Sequence, residues 1–171
     1  MRSLNYWGCD YANPLISYIA KHYNELQNID ERDRFWLLGR LGSYYWLRWC
    51  DSPPSPLAEK ARNFLEELPK HQLYCLIQAI GNKSAAKPLG YYSCDYTIPL
   101  IKFFHDFYGD LLQNMSEVDQ TWLLGMMGDF YYQLHCEGDI PASDTADEVT
   151  NNLHQLDRNN CSALIQALTN I

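Results

Sequence analysis

The chain has 171 residues, a formal net charge of -8 and 47% hydrophobic residues, which suffices for one compact domain or two small fused ones. Its 13 lysines and arginines are scattered, which excludes nucleic acid and anionic membrane surfaces as partners. No apolar run is long enough for a transmembrane segment and the N-terminus has no signal-peptide core, so we expect a cytoplasmic protein.

The sequence repeats itself along its length. Cys-Asp-Tyr at 9–11 returns at 94–96, Trp-Leu-Leu-Gly at 36–39 returns at 122–125, and Leu-Ile-Gln-Ala at 76–79 returns at 164–167. We therefore predict an all-α protein with an internal duplication, in which two four-helix units are related by a pseudo-twofold axis. The units are residues 1–82 and 91–171, with a linker at 83–90, and their cores are either separate or interleaved.

The first helix of each unit is predicted to begin at a proline, Pro14 or Pro99, with Asp10 as a cap in the first unit. Its apolar positions recur at helical spacing, and they are Leu15, Ile16, Ile19, Tyr23 and Leu26, then Leu100, Ile101, Phe104, Tyr108 and Leu111. The second helix begins at the acidic turn 30–33 and is apolar nearly all round, as is its twin at 122–134, which is typical of a central helix.

The third and fourth helices follow proline breaks. The third carries an apolar stripe made of Leu57, Ala61, Phe64, Leu65 and Leu68, and the fourth, after Pro69, carries Leu73, Leu76, Ile77 and Ile80. Their counterparts are predicted at 145–156 and 160–168. No segment alternates at period two, which excludes strands of useful length.

Four glycines lie inside the two central helices, at Gly39, Gly42, Gly125 and Gly128. Each costs about 1 kcal/mol relative to alanine in a helix interior, so their repetition requires a reason. One interpretation is a close helix crossing, and the other is a groove for a flat ligand. The first is the commoner use of buried glycine.

Aromatic residues make up 14% of the chain, more than a core of this size requires. The candidate ligand-binding residues are Phe35, Trp36, Leu38, Tyr45, Trp122, Leu124 and Tyr131, although most such side chains are ordinarily core. The candidate interface residues lie where the halves differ, and they are Trp46, Trp49, Tyr132 and His135. The loops at 52–56 and 138–143 also differ between the halves.

The sequence carries no catalytic signature. The six cysteines form no close pair, so we expect reduced, buried thiols and no metal site. Helix capping explains Asp10 and Asp95 more simply than a catalytic pair of acids does. We therefore predict a protein that is not an enzyme and requires no cofactor.

The order of several features resembles the N-terminal helical domain of the cyanobacterial orange carotenoid protein. In the first half they are Asp33, the apolar helix 35–46, the proline-rich break, Ala-Glu-Lys-Ala-Arg-Asn-Phe-Leu at 58–65 and a glutamine-bearing last helix. In the second half they are Gly-Asp-Phe at 128–130, Ile-Pro at 140–141, the helix at Ala146 and Asp157. The resemblance implies an all-α fold of two four-helix units that holds a carotenoid in an apolar tunnel.

The chain departs from that family at the aromatic residues that clasp the pigment, because Gly39, Gly42 and Gly125 stand at their places. Two hypotheses follow. The first is a protein–protein adaptor or assembly factor, linked through the resemblance to the photosynthetic apparatus, with a partner protein or a second copy of the chain as its target. The alternative is a carotenoid-binding photoprotective protein with a tunnel lined by Phe35, Leu38, Tyr45, Leu124 and Tyr131.

Overall fold

The computed structural model describes residues 2–137 and 140–171, and this part of the chain has eight α-helices and no strand. The all-α prediction is confirmed. The helices are α1 (Pro14–His22), α2 (Glu31–Trp49), α3 (Pro56–Arg62), α4 (Lys70–Gly81), α5 (Pro99–Tyr108), α6 (Glu117–His135), α7 (Asp144–Asn151) and α8 (Arg158–Thr169). None of these helices is long and apolar enough to cross a bilayer.

Side-chain caps set where the central helices begin. The carboxylate of Asp30 accepts a hydrogen bond from the Asp33 amide at 2.8 Å and so caps α2, while Ser116 caps α6. The prediction that Asp10 caps α1 is wrong, because the cap is Asn13. Asp10 instead accepts the amide of Ala12 in a local turn.

The shorter helices end before the apolar pattern does. The third helix stops at Arg62, and the chain continues through a turn into a short 3-10 helix, Leu65–Glu67. The prediction that Phe64 belongs to the apolar stripe of the third helix is wrong, because Phe64 lies in that turn and is 39% exposed. Leu111 is likewise outside the core. The adjacent Leu112 is buried in its place, with a positive φ of 54°.

The central pair of helices, α2 and α6, is antiparallel, because Gly42 meets Gly125 while Gly39 meets Gly128. The fourth helix packs on α6, and α8 packs on α2. The third helix also packs on α6, and α7 packs on α2. Residues from 1–82 and from 91–171 therefore bury their side chains in one shared core.

Candidate functional site

The central helices cross with their backbones in contact. A Cβ atom placed on Gly42 would lie 2.5 Å from the amide nitrogen of Gly125, and one on Gly128 would lie 2.6 Å from that of Gly39. Ordinary van der Waals contact begins at 3.4 Å. Any side chain at these positions would push α2 and α6 apart. The space beside the glycines is filled by the other helix's backbone.

The candidate ligand-binding residues surround this crossing, and six of the seven are buried, namely Phe35, Leu38, Tyr45, Trp122, Leu124 and Tyr131. The rings of Phe35 and Tyr131 stack on each other, with centroids 3.7 Å apart. Trp36 is half-buried and its indole donates a hydrogen bond to Thr150 Oγ1 at 3.2 Å. Phe35 and Tyr131 thus pack on each other in the core, whereas Tyr45 and Leu124 also line a cleft beside α8.

The candidate interface residues are held mainly by contacts within the chain. Tyr132 is buried and its hydroxyl donates to the carbonyl of Ile140, and the Trp46 indole donates to the carbonyl of Ser52. Trp49 packs edge-on against Tyr44, with centroids 5.6 Å apart. In Tyr132 and Trp46 these contacts use the polar tips that an interface anchor would offer.

The fourth candidate interface residue is His135. Burial lowers its pKa below the ordinary value, and Lys70 acts in the same direction.

Of the two loops that differ between the halves, residues 138 and 139 lie outside the described part of the chain. Near the C-terminal ends of the two central helices, which lie at opposite ends of the antiparallel pair, Leu47 and Leu134 are exposed, Leu47 at 72%.

A buried carboxylate ties the central helix of each half to the other half. Asp119 on α6 accepts hydrogen bonds from the amide and hydroxyl of Ser55 and from the Tyr108 hydroxyl at 2.8 Å. Asp33 on α2 accepts the same three bonds from Ser143 and Tyr23.

Both serines in these networks also cap a helix, since Ser55 Oγ accepts the Ala58 amide and Ser143 Oγ accepts the Ala146 amide. The arrangement resembles an activated serine only in outline, because no histidine takes part in any of these bonds. The two networks therefore have a structural role, because they position α3 on α6 and α7 on α2. The sequence signal was faint, as only Asp33 stood out.

An exposed aromatic groove lies between α5 and the segment 64–67 that follows α3. Phe64, Glu67, Pro99, Leu100 and Phe103 line it, and its volume is about 210 Å³. On the next turn of α5, Phe107 is 52% exposed and packs against Phe103, with ring centroids 4.9 Å apart. Sequence reasoning missed this groove because Phe64 matched a helical apolar stripe, whereas α3 ends two residues earlier.

The place at the matching sequence positions, between α1 and the end of α7, is smaller and polar. It has a volume of about 130 Å³ and is lined by Pro14, Leu15, Tyr18, Glu148, Asn152 and Gln155. Asn152 stands 88 residues after Phe64 and donates a hydrogen bond to the Glu148 carboxylate at 3.1 Å. Its side-chain oxygen accepts a bond from Gln155. The amide of Asn152 is thus satisfied within the chain at this place, whereas the aromatic groove exposes Phe64 at the matching position.

The thiols offer no reactive nucleophile. Burial raises the pKa of Cys9, Cys94, Cys136 and Cys161 to about 12, and it also raises the pKa of Cys50 and Cys75. The thiolate is the reactive form, so these cysteines stay protonated near neutral pH. Within residues 2–137 and 140–171, no group of three or more His, Cys, Asp and Glu side chains is arranged to hold a metal ion.

The aromatic groove is therefore the feature of this surface that is best suited to binding. It combines a concave apolar floor with two partly exposed phenylalanines and an acidic residue at its edge. Comparison with known proteins finds no matching family model, no similar curated protein and no similar solved structure.

Proposed function

We propose that this protein is a non-catalytic helical adaptor that docks a partner protein in the groove of Phe64, Pro99 and Phe103. The observation that carries the proposal is the exposure of Phe64 and Phe107 beside a preformed apolar concavity. Exposed aromatic side chains around a pocket are the usual anchors of protein–protein interfaces. A pocket of about 210 Å³ is larger than the roughly 150 Å³ cavity that accepts a benzene ring.

The charges around the groove indicate the partner's chemistry. Glu67 lines the groove and is exposed, as is the neighbouring Glu66, and neither takes part in an ion pair among the described residues. The chain as a whole carries a net charge of -8. The occupant we propose is a short segment of a partner protein that inserts one leucine or aromatic side chain and places a lysine or arginine beside Glu67.

We also propose that the two halves arose by duplication and are related by a pseudo-twofold axis. Matching contacts support this, since Tyr11 donates to Glu25 as Tyr96 donates to Asp110, at positions 85 residues apart. The halves then present one aromatic groove and one polar counterpart. A single docking site for each chain follows.

A peptide library tests the docking proposal. Peptides selected on the wild-type protein should combine an aromatic residue or leucine with a neighbouring lysine or arginine. They should lose at least ten-fold affinity for Phe64→Asn, which installs the residue found at position 152. The matched control is Leu47→Asn, which removes a still more exposed apolar side chain elsewhere and should bind as the wild type does. Equal binding to Phe64→Asn would refute the proposal.

A second copy of the chain is the other candidate occupant. The groove offers far less than the roughly 800 Å² that each partner buries in a stable dimer, so we expect a monomer in sedimentation velocity at micromolar concentration. The carotenoid alternative is weakened by the filled crossing at Gly42 and Gly125. Expression in a carotenoid-producing host should therefore yield a colourless protein, and a coloured product would favour the alternative.

A further inference from the structure

A second concavity lies away from the aromatic groove, where α8 meets the start of α6 and the end of α4. Its volume is about 160 Å³. Leu124 and Ile165 form an apolar floor, and the walls and rim carry hydroxyl, amide and carboxyl groups from Tyr45, Ser84, Glu117, Gln120, Thr121, Ser162 and Gln166. In the described part of the chain, the side chains of Ser162, Ser84 and Gln166 form no hydrogen bond.

The equivalent place in the first half is filled by side chains. Tyr74 lies there with its ring edge-on to Phe35, with centroids 6.2 Å apart, and Phe35 in turn stacks on Tyr131. The Tyr74 hydroxyl accepts a hydrogen bond from Arg34 Nη1 at 3.2 Å and donates one to the carbonyl of Ile171. A phenol ring with both hydrogen-bonding roles satisfied therefore occupies this position.

The sequence repeat shows which residues replace this filling in the second half. Thr121 stands 86 residues after Phe35, and Ser162 stands 88 residues after Tyr74. The local architecture is otherwise retained, because Gln120, 86 residues after Arg34, donates to the carbonyl of Ile80 as Arg34 donates to that of Leu168. The replacements thus take away two aromatic rings while the helix ends around them keep the same contacts.

We propose that this cleft binds a small single-ring phenol, which takes the place that the Tyr74 side chain occupies in the first half. Its volume is close to that of the roughly 150 Å³ cavity that accepts benzene. The polar walls favour a ring with a hydroxyl group over a hydrocarbon, because Gln166 and Ser162 offer donors and acceptors without internal partners. Leu124 and Ile165 contact the ring.

The probe is p-cresol, the side-chain analogue of tyrosine, titrated into the ¹⁵N-labelled full chain and followed by amide chemical shifts. We expect saturable shifts at Thr121, Ser162 and Gln166 with a dissociation constant of about 1–10 mM, as for a ligand of this size. Toluene, which lacks the hydroxyl, should bind several-fold more weakly. Shifts that do not saturate, or that map to the Phe64 groove, would overturn the proposal.

Two variants separate filling of the cleft from general damage. Ser162→Tyr supplies the ring from within and should weaken p-cresol binding at least ten-fold while raising the melting temperature. Asn159→Tyr adds a tyrosine at an exposed position of the same helix outside the cleft, and it should bind p-cresol as the wild type does. Unchanged binding to Ser162→Tyr would refute the site. Peptide docking at Phe64 should be the same in both variants, so the two proposals fail independently.

Discussion

Replacing Gly42 by alanine tests whether α2 and α6 are as close in solution as the structure has them. The added methyl group would lie 2.5 Å from the Gly125 nitrogen and 2.8 Å from its Cα atom. Restoring an ordinary contact distance requires the helices to separate by about 1 Å, and a gap of that size removes up to half of the dispersion energy between facing atoms.

The expected magnitude is the difference between two opposing effects. Alanine gains about 1 kcal/mol over glycine in a helix interior, whereas overpacking a close contact between backbones costs about 3 kcal/mol or slightly more. Gly42→Ala should therefore lower the free energy of unfolding by about 2 kcal/mol. For a chain of this length that corresponds to a fall in melting temperature of about 4–8 °C.

Urea unfolding followed by circular dichroism measures this change by linear extrapolation. The matched control is Ser43→Ala on the same helix, which also moves toward alanine but adds no atom to the crossing, and it should unfold within about 0.5 kcal/mol of the wild type. A Gly42→Ala protein as stable as the wild type would refute the close crossing. That result would reopen the space beside the glycines to a flat ligand.

Three further predictions concern the buried polar groups. Ser55→Ala should lower the unfolding free energy by about 2–3 kcal/mol in urea melts, because it removes a helix cap and one of the hydrogen bonds that Asp119 accepts. The control Ser116→Ala removes only a cap and should cost about 1 kcal/mol. Equal losses would contradict the proposal that Ser55 also stabilises the contact with Asp119. Burial raises the pKa of Asp129, so the stability that its protonated form contributes is complete below pH 3.8 and is lost as pH rises through the folded-state pKa. In urea melts at a series of pH values, Asp129→Asn should make the unfolding free energy fall less over this range. An unchanged pH profile would contradict this role of Asp129. A thiol reagent should label at most one cysteine of the native protein quickly, the half-buried Cys50, and all six after unfolding; fast labelling of several would show that the core is open.

Local sequence signals predicted the helices well where a cap or a proline acts directly on the backbone. The acidic turn before α2 and the proline at the start of α1 lie at helix beginnings as expected. The ends of the short helices were less predictable. The apolar stripe that includes Phe64 continues past Arg62, but the chain leaves the helix there and turns the ring outward. Periodicity cannot register that turn because the side-chain types do not change.

The candidate sites were harder to predict than the helices. Aromatic content pointed to Phe35 and Tyr131 as ligand-binding residues, but in the structure their rings stack on each other in the core. The exposed groove and the polar cleft are formed by residues far apart in sequence, such as Phe64 with Phe103 and Thr121 with Ser162. Comparing the halves position by position is the sequence signal that would have found both. The cleft lies where Thr121 and Ser162 stand at the positions of Phe35 and Tyr74, and the groove lies where Phe64 stands at the position of Asn152.

The sequence by itself determined the helical class, because capping and helical periodicity act over a few neighbouring residues. Only the tertiary structure decided how the halves combine, since Asp33 and Asp119 reach serines more than sixty residues away and the glycines bring α2 and α6 into backbone contact. The physical reason is that burial depends on what packs opposite a residue. The residue that packs opposite is determined by the tertiary fold and cannot be deduced from the local sequence pattern.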